Sequence, residues 1–580
     1  MSKLSIDQKN IIGLFQDKKS DFLIPDYQRP YAWDEDKCDT LWDDLFDFAF
    51  PEANFDNFND DEEYFLGPIV TFLNKDTNKL EVIDGQQRLT TLMLLLRAFY
   101  DKFIYAKDSN TVETRKEISK CIWKTDLYGN PKLDELKIQS DVAGDDDKEE
   151  FLNILKTGEV LSTYKSRYAV NFKNFKDKID KFCGDYPMYT STFPQVIMKN
   201  CILLPIEADK QETALRIFST LNDRGMPLSD ADIFKAQFYK YYTNLGKKQD
   251  FITRWRQLET LCSKIFHSPS GSPMDELFTR YMYFERAKQG NKQSTTEALR
   301  KFYEKEDYKL LKSEDTFNNL EILADFWDDI INQKEKFGDK VLRDLFVLNY
   351  APNGMWSYFL SVYFMQNKNT ENELNLDKLH LFLQKVIGFV WGYSFTNPGV
   401  NALRTPIYAE MINIVNNKEV SFDEYKFDET QLRTIIDNYS FINQRPITKS
   451  MLTLWAFSND KQKLIDLDEE FQIEHIFAKR RYEKHGGLTD SKLLEKLGNK
   501  SLLESDINSP ASDCVFSDKK PYYYGQIKKR NSKTSRATQI TDLIELADKK
   551  DDFLEQDIID RNKRIIDRFI EYLKNNSLIK

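Results

Sequence analysis

Val82-Ile83-Asp84-Gly85-Gln86-Gln87-Arg88-Leu89-Thr90-Thr91-Leu92 decides how the first part of this chain folds. An apolar run, Leu80 to Ile83, stops at Asp84-Gly85, and a strongly apolar helical run from Leu89 to Tyr100 begins at once. Strand, glycine turn and helix N-terminus in that order aim free backbone N–H groups and the positive end of a helix dipole at one point. That point suits an anion, phosphate above all. Arg88 adds a planar fork of donors, and Asp84 is placed to hold a metal ion or position a water. A tight turn with a solvated arginine is the plainer reading of the same residues.

The flanking sequence builds a frame for this turn. Tyr64 to Leu73 reads as a strand with a Gly67-Pro68 break, Asn74 to Asn78 as a turn, and Lys79 to Ile83 as the returning strand, a β-hairpin that feeds the helix. Residues 1–20 read as an amphipathic helix with Ile6, Ile11, Ile12, Leu14 and Phe15 on one face. Phe22 to Ile24 is a short strand entering Pro25-Asp26-Tyr27-Gln28-Arg29-Pro30-Tyr31-Ala32-Trp33, and Asp34 caps a helix that runs to Asp47. Tyr27, Tyr31 and Trp33 beside Arg29 suit stacking on a nucleobase, although for any one aromatic a place in the core is the commoner role. Residues 101–195 read as helical and polar, and Cys201 to Ile206 as another buried strand. A helix from Glu212 to Leu221 then breaks at Asn222-Asp223-Arg224-Gly225, and Ser229 opens the next with a capping-box pattern.

At 580 residues the chain is long enough for three domains, which we place at 1–245, 246–440 and 441–580. The middle one is a helical bundle with Trp255, Phe278, Tyr281, Trp327, Trp356 and Trp391 as core. Hydrophobic residues at 41% support real cores, and no apolar run reaches membrane-spanning length, so the expectation is a cytoplasmic protein without a membrane partner. Six cysteines without a Cys-x-x-Cys pair exclude a thiolate zinc ribbon and argue against a disulfide framework. A net charge of −11 argues against indiscriminate coating of DNA but leaves room for one local basic face.

The C-terminal part changes character. Phe471-Gln472-Ile473-Glu474-His475-Ile476-Phe477 is a short strand ending in an acid and one of only four histidines, followed by Lys479-Arg480-Arg481. Leu497-Gly498-Asn499-Lys500-Ser501-Leu502-Leu503 reads as a second strand. From Lys519 to Arg536 the chain carries seven basic residues and no acid, interrupted by Tyr522-Tyr523-Tyr524, a pattern that suits a surface tracking a nucleic-acid backbone. Lys528, Lys529 and Arg530 lie in that tract. Two amphipathic helices, 540–547 and 551–573, cover this end. Phosphodiester cleavage needs a base for water and a cation for the scissile phosphate. Glu474, His475 and Asn508 fit those roles, with Glu474 and Asn508 as ligands to a Mg²⁺-type ion and Asn499 bracing the loop.

Together the blocks Ile24 to Trp33, Phe65 to Ile69, Ile83 to Leu92, and Phe218 through Asn222-Asp223-Arg224-Gly225 to Leu228, Asp232 and Lys235 resemble the N-terminal module of GmrSD-type restriction endonucleases. Ile473-Glu474-His475-Ile476, Leu497-Gly498-Asn499, Asn508 and Lys519 resemble their HNH-type nuclease module. The resemblance implies an α+β, multidomain protein: a ParB/sulfiredoxin-like N-terminal domain, a mainly helical middle, and a C-terminal ββα-metal domain with helical cover. It implies a nucleotide site for GTP or ATP at Gln28, Arg29, Asp84, Gly85, Gln86, Gln87 and Arg88, with Asn222 and Arg224 closing over it. It implies a nuclease site of His475, Asn499, Asn508 and Lys519 with Mg²⁺ or Mn²⁺, DNA contacts through Lys479, Arg480, Arg481, Lys528, Lys529 and Arg530, and double-stranded, modified phage DNA as the substrate. Homo-oligomers are compatible with it.

One departure from the family pattern stands out: where a proline usually follows the histidine, this chain has Ala478-Lys479. Two other classes stay open, a nucleotide-gated DNA-binding regulator with an inactive nuclease module and an RNA-directed nuclease or toxin.

Overall fold

In the computed structural model the described residues run from 4 to 580, apart from 52–61, 76, 143–146, 161–164, 210–212, 215–216, 218–228, 267–271, 296, 512–514 and 528–535. They form two compact units, Met1–Arg256 and Gln257–Lys580, of mixed α and β structure.

The first unit is built on one mixed sheet. Its strands are β1 (Leu4–Ile6), β2 (Lys9–Asn10), β3 (Phe22–Ile24), β4 (Tyr64–Asn74), β5 (Lys79–Asp84), β8 (Ile138–Ser140) and β9 (Cys201–Ala208), while β6 (Trp123–Thr125) and β7 (Pro131–Leu136) form a separate hairpin. The order is β1-β9-β4-β5-β3-β8, with β2 also on β9. β4 and β5 pair antiparallel as the expected hairpin, and β3 runs parallel to β5. That parallel pairing brings the Pro25–Trp33 turn beside the end of β5. The helix Gln86–Lys102 leaves β5 and is buried almost all round, so its long apolar run is core on several faces rather than a single stripe. Trp42 of the helix Glu35–Ala49 meets Phe193 edge-on with ring centroids 5.4 Å apart, and Phe182 packs on Phe193 at 4.9 Å. These contacts put most of the unit's aromatics in one core.

Two expectations change here, and the commoner role expected of Tyr31 is the one observed. Residues 1–20 are not one helix: Leu4–Ile6 and Lys9–Asn10 pair with β9, and among the described residues of this stretch only Ile11–Phe15 is helical, capped by the Asn10 side chain on the Gly13 N–H at 2.7 Å. Edge-strand pairing outweighs the local helical period. The stretch 101–195 contains β6 to β8 besides its helices, and β8 extends the main sheet along β3. Tyr31 is core, with its hydroxyl 2.7 Å from Thr91 Oγ1 and its ring stacked on Tyr168 at 4.8 Å. The stretch 218–228, with Asn222 and Arg224, lies outside the described residues.

The second unit is helical from Pro273–Lys288 to Pro446–Phe457, then forms a two-stranded antiparallel sheet of β10 (Phe471–His475) and β11 (Lys500–Glu504). β11 starts later than its sequence suggests, because Leu497–Asn499 is a 3-10 turn. The long helix Glu555–Asn575 packs against that turn so tightly that a Cβ on Gly498 would lie 2.0 Å from the Ile558 carbonyl oxygen. No helix among the described residues is long and apolar enough to cross a membrane.

Candidate functional site

In the first unit, Gly85 turns the chain from β5 into the helix Gln86–Lys102 with φ of +86°, a conformation glycine takes without strain. Among the described residues no side chain caps this helix, which makes its first N–H groups candidate donors to a ligand. Arg88 Nη1 donates to the Pro68 carbonyl at 2.8 Å, which lays the guanidinium over Gly67. Gly67 has φ of +117°, and a Cβ there would lie 2.9 Å from the guanidinium. The β4 glycine therefore serves as a seat for the arginine. Burial pushes the Asp84 carboxyl above its usual range, against the pull of the Gly85 N–H, Arg88 and Arg29. Burial likewise lowers Arg88, with Asp84 opposing.

The two glutamines on either side are engaged with backbone. Gln28 Nε2 donates to the Val82 and Ile83 carbonyls at 3.3 and 3.1 Å. Gln87 accepts the Ala32 N–H at 2.7 Å and donates to the Pro30 carbonyl at 3.2 Å. Both tie the Pro25–Trp33 turn to the strand and helix. Gln86 Oε1 is buried with no hydrogen-bond partner, and Arg29 is exposed. The sites of Gln28, Arg29, Asp84, Gly85, Gln86, Gln87 and Arg88 thus converge, with Arg29, Arg88 and the open helix N–H groups as its cationic side.

In the second unit, β10 and β11 set His475 opposite Lys500 and Glu474 opposite Ser501. Successive side chains alternate faces, so Glu474 and His475 serve two different surroundings. Glu474, 1% exposed, receives Lys519 Nζ and the Tyr523 hydroxyl on its Oε1, each at 2.7 Å. Lys519 is fully buried and also donates to the His475 carbonyl at 2.6 Å. A buried carboxylate and ammonium paired this way neutralise each other. The expected nucleic-acid-tracking surface is therefore absent at Lys519 and Tyr523, which face inward, while Lys528, Lys529 and Arg530 lie outside the described residues.

Asn499 braces the loop after His475. Its Oδ1 takes the Phe477 N–H at 2.7 Å, and its Nδ2 donates to the Phe477 and Leu494 carbonyls, each at 3.2 Å. Asn508 donates to Gln472 Oε1 at 3.0 Å, and its own Oδ1 is buried without a partner among the described residues. The basic residues after the loop are unequal. Lys479 and Arg480 are exposed, but Arg481 spends its fork on Asp552 at 2.7 and 2.8 Å and stacks over Phe477.

Among the described residues no group of three or more His, Cys, Asp or Glu side chains converges on a metal-sized point. Of the two expected ligands, Asn508 Oδ1 is an open oxygen donor, as a Mg²⁺-type ion requires. Glu474 Oε1 is not open, being held by two donors.

Three contributors had no sequence signal strong enough to single them out. Glu495 lies 3.7 Å from His475 Nε2, ion-pair range but beyond a hydrogen bond. Tyr523 completes the Glu474 pair. Arg561 donates to the Leu497, Gly498 and Lys500 carbonyls at 3.1, 3.1 and 2.7 Å. Each acts across a sequence separation that local spacing does not encode.

Two family models match this chain: the N-terminal domain of GmrSD restriction endonucleases over residues 11–239, and the C-terminal domain of GmrSD restriction endonucleases over residues 424–568. They take in both sites and well over half of the sequence. The chain belongs to the GmrSD restriction endonuclease family. It is also similar to the uncharacterized protein MJ0686 of Methanocaldococcus jannaschii, 26% identical over 267 residues that make up 41% of this chain and 43% of that protein.

Proposed function

We propose that this protein is a nucleotide-dependent, modification-sensing DNA endonuclease of anti-phage defence. In this reading the first unit is a ParB/sulfiredoxin-like nucleotidase that binds GTP or ATP with its phosphates at the open N-terminus of Gln86–Lys102, between Arg29 and Arg88. The second unit carries an HNH-like ββα nuclease site. What supports cleavage is the half-buried His475 imidazole at a loop locked by Asn499, in a chain of this family.

His475 takes a proton from water as the water oxygen attacks phosphorus, and the P–O bond to the leaving deoxyribose oxygen breaks, that oxygen being protonated from solvent. A bound divalent cation would neutralise charge on the scissile phosphate. Asn508 offers it an oxygen, and at Glu474 the oxygen left for it is Oε2, since Lys519 and Tyr523 both donate to Oε1. Lys479 and Arg480, exposed beside the loop, provide backbone contacts to DNA.

The Lys519–Glu474 pair also carries a second reading, a DNA-binding regulator whose nuclease module does not cut. One experiment separates them: unmodified DNA and phage DNA with modified cytosines, each incubated with Mg²⁺ or Mn²⁺, with and without GTP. Metal-dependent cutting of the modified DNA alone is the expected result. Hydrolysis of nucleotide with no cutting of either DNA, or of phosphorothioate DNA, would favour the regulator.

A further inference from the structure

The face of β10 that carries His475 holds a second carboxylate. Glu495 ends the 3-10 turn Ser491–Glu495, just before the loop that contains Asn499. Its backbone carbonyl takes the Phe441 N–H at 2.8 Å, which fixes the turn. Its Oε2 receives Lys500 Nζ at 2.6 Å, and Lys500, fully buried, also donates to Asn443 Oδ1 at 2.6 Å. Since Lys500 is the cross-strand partner of His475, the acid is gripped from one side and turns its other oxygen, Oε1, toward His475 Nε2 at 3.7 Å. That nitrogen is buried with no hydrogen bond among the described residues, whereas Nδ1 is not among the buried unpaired atoms and no described residue hydrogen-bonds to it. Glu474 cannot serve the ring in this way, because Lys519 and Tyr523 hold it on the other face.

We propose that Glu495 is the positioning residue of His475: it takes the Nε2–H, commits the imidazole to that tautomer, and leaves the Nδ1 lone pair to accept the proton of the attacking water. This rests on the reading of His475 as general base. The 3.7 Å gap lies within ion-pair range, and a shift of a few tenths of an ångström closes it to a hydrogen bond. Facing His475 first and Lys500 second, the Glu495 acid group is pushed down to about 2 even though burial opposes this, so it is a carboxylate at any working pH. As water loses its proton to Nδ1, the imidazolium that forms has a fixed anion on its far side. The logic is that of any base oriented by a third group.

The test combines kinetics with the tautomer itself. Cleavage of the susceptible DNA would be measured with Mg²⁺ for wild type, Glu495→Gln, Glu495→Asp and His475→Ala. The protein, which has four histidines, would also be labelled with ¹⁵N-histidine and the His475 ring nitrogens assigned by loss of signal in His475→Ala. Glu495→Gln should lower kcat by about 10–100-fold with KM for DNA unchanged, the scale of losing a group that orients a functional histidine. Glu495→Asp should recover part of it. Wild type should show the Nε2–H tautomer, and Glu495→Gln a mixture. Because Glu495→Gln unpairs Lys500, the double variant Glu495→Gln/Lys500→Met carries the same measurements if the single variant fails to fold. Full activity in a folded Glu495→Gln, or an Nδ1–H tautomer in wild type, would overturn the proposal while an inactive His475→Ala left the nuclease reading standing. Wild-type cutting by His475→Ala would instead remove that reading, and this one with it.

Discussion

Arg88 and Gly67 show how a site depends on single atoms. The arginine reaches its place only because β4 has no side chain under it, and the left-handed φ of Gly67 adds to the demand for glycine. Gly67→Ala is therefore expected to cost about 1–3 kcal/mol of stability and to weaken GTP binding along with it. Urea denaturation and calorimetry would check both, and an unchanged affinity would rule out Arg88 as a phosphate group. Arg88→Ala should weaken binding directly, by the same calorimetry. In the other unit, His475→Ala is expected to abolish DNA cleavage while leaving triphosphate hydrolysis at its wild-type rate, since the proposed base and the proposed nucleotide site belong to separate units. Nicking at normal rates by the mutant would sink this. The Asp84-Gly85 turn into an apolar helix and the short strand ending in Glu474-His475 were legible in the sequence, because an apolar run broken at glycine and a short strand are local patterns. Gly67 was read only as a strand break; its role as a seat depends on where Arg88 lies in space.

At the scale of elements, the helix Glu555–Asn575 reads in sequence as amphipathic cover, yet its buried Arg561 holds three carbonyls of the turn that presents Asn499 and pairs with Asp542 at 2.5 Å. Replacing Arg561 with methionine leaves those oxygens and a carboxylate uncompensated, and a loss of about 3–5 kcal/mol is expected from breaking such a buried pair. Thermal melts would measure it, and cleavage should fall with it as the loop loosens. A second contact between helices responds to pH. His380 on Leu376–Thr396 lies 2.6 Å from buried Asp344 on Gly338–Asn349, which also accepts from Gln384. The hydrogen bond to Asp344 raises His380 above its ordinary 6.5, although burial opposes it. A raised histidine stabilises fully below the unfolded value and loses that contribution as pH climbs through the folded one. Asp344 is raised by burial, so its own contribution also declines with rising pH, from 3.8 upward. The second unit should therefore lose stability above about pH 6.5, and Asp344→Asn should flatten that loss in denaturation midpoints taken from pH 6 to 9.

For the whole molecule, the division at Arg256 and Gln257 marks off a sheet-centred unit, with a core reaching from Ile11 to Leu203, from a largely helical one. Residues 1–256 expressed alone are expected to unfold cooperatively by circular dichroism and to hydrolyse nucleotide. A fragment with no cooperative transition would show that its core is incomplete. The hairpin β4–β5, the glycine turn, the helix after it and the strand ending in Glu474-His475 were determined by the sequence itself, because each follows from the period of apolar residues and from what glycine and the helix terminus allow over a few neighbours. The pairing of residues 4–10 with β9, the addition of β8, the capture of Glu474 by Lys519 and the approach of Glu495 to His475 were decided by tertiary structure alone. Each joins groups tens of residues or more apart in the chain, and local periodicity carries no information about which distant group will fill a buried place or balance a buried charge.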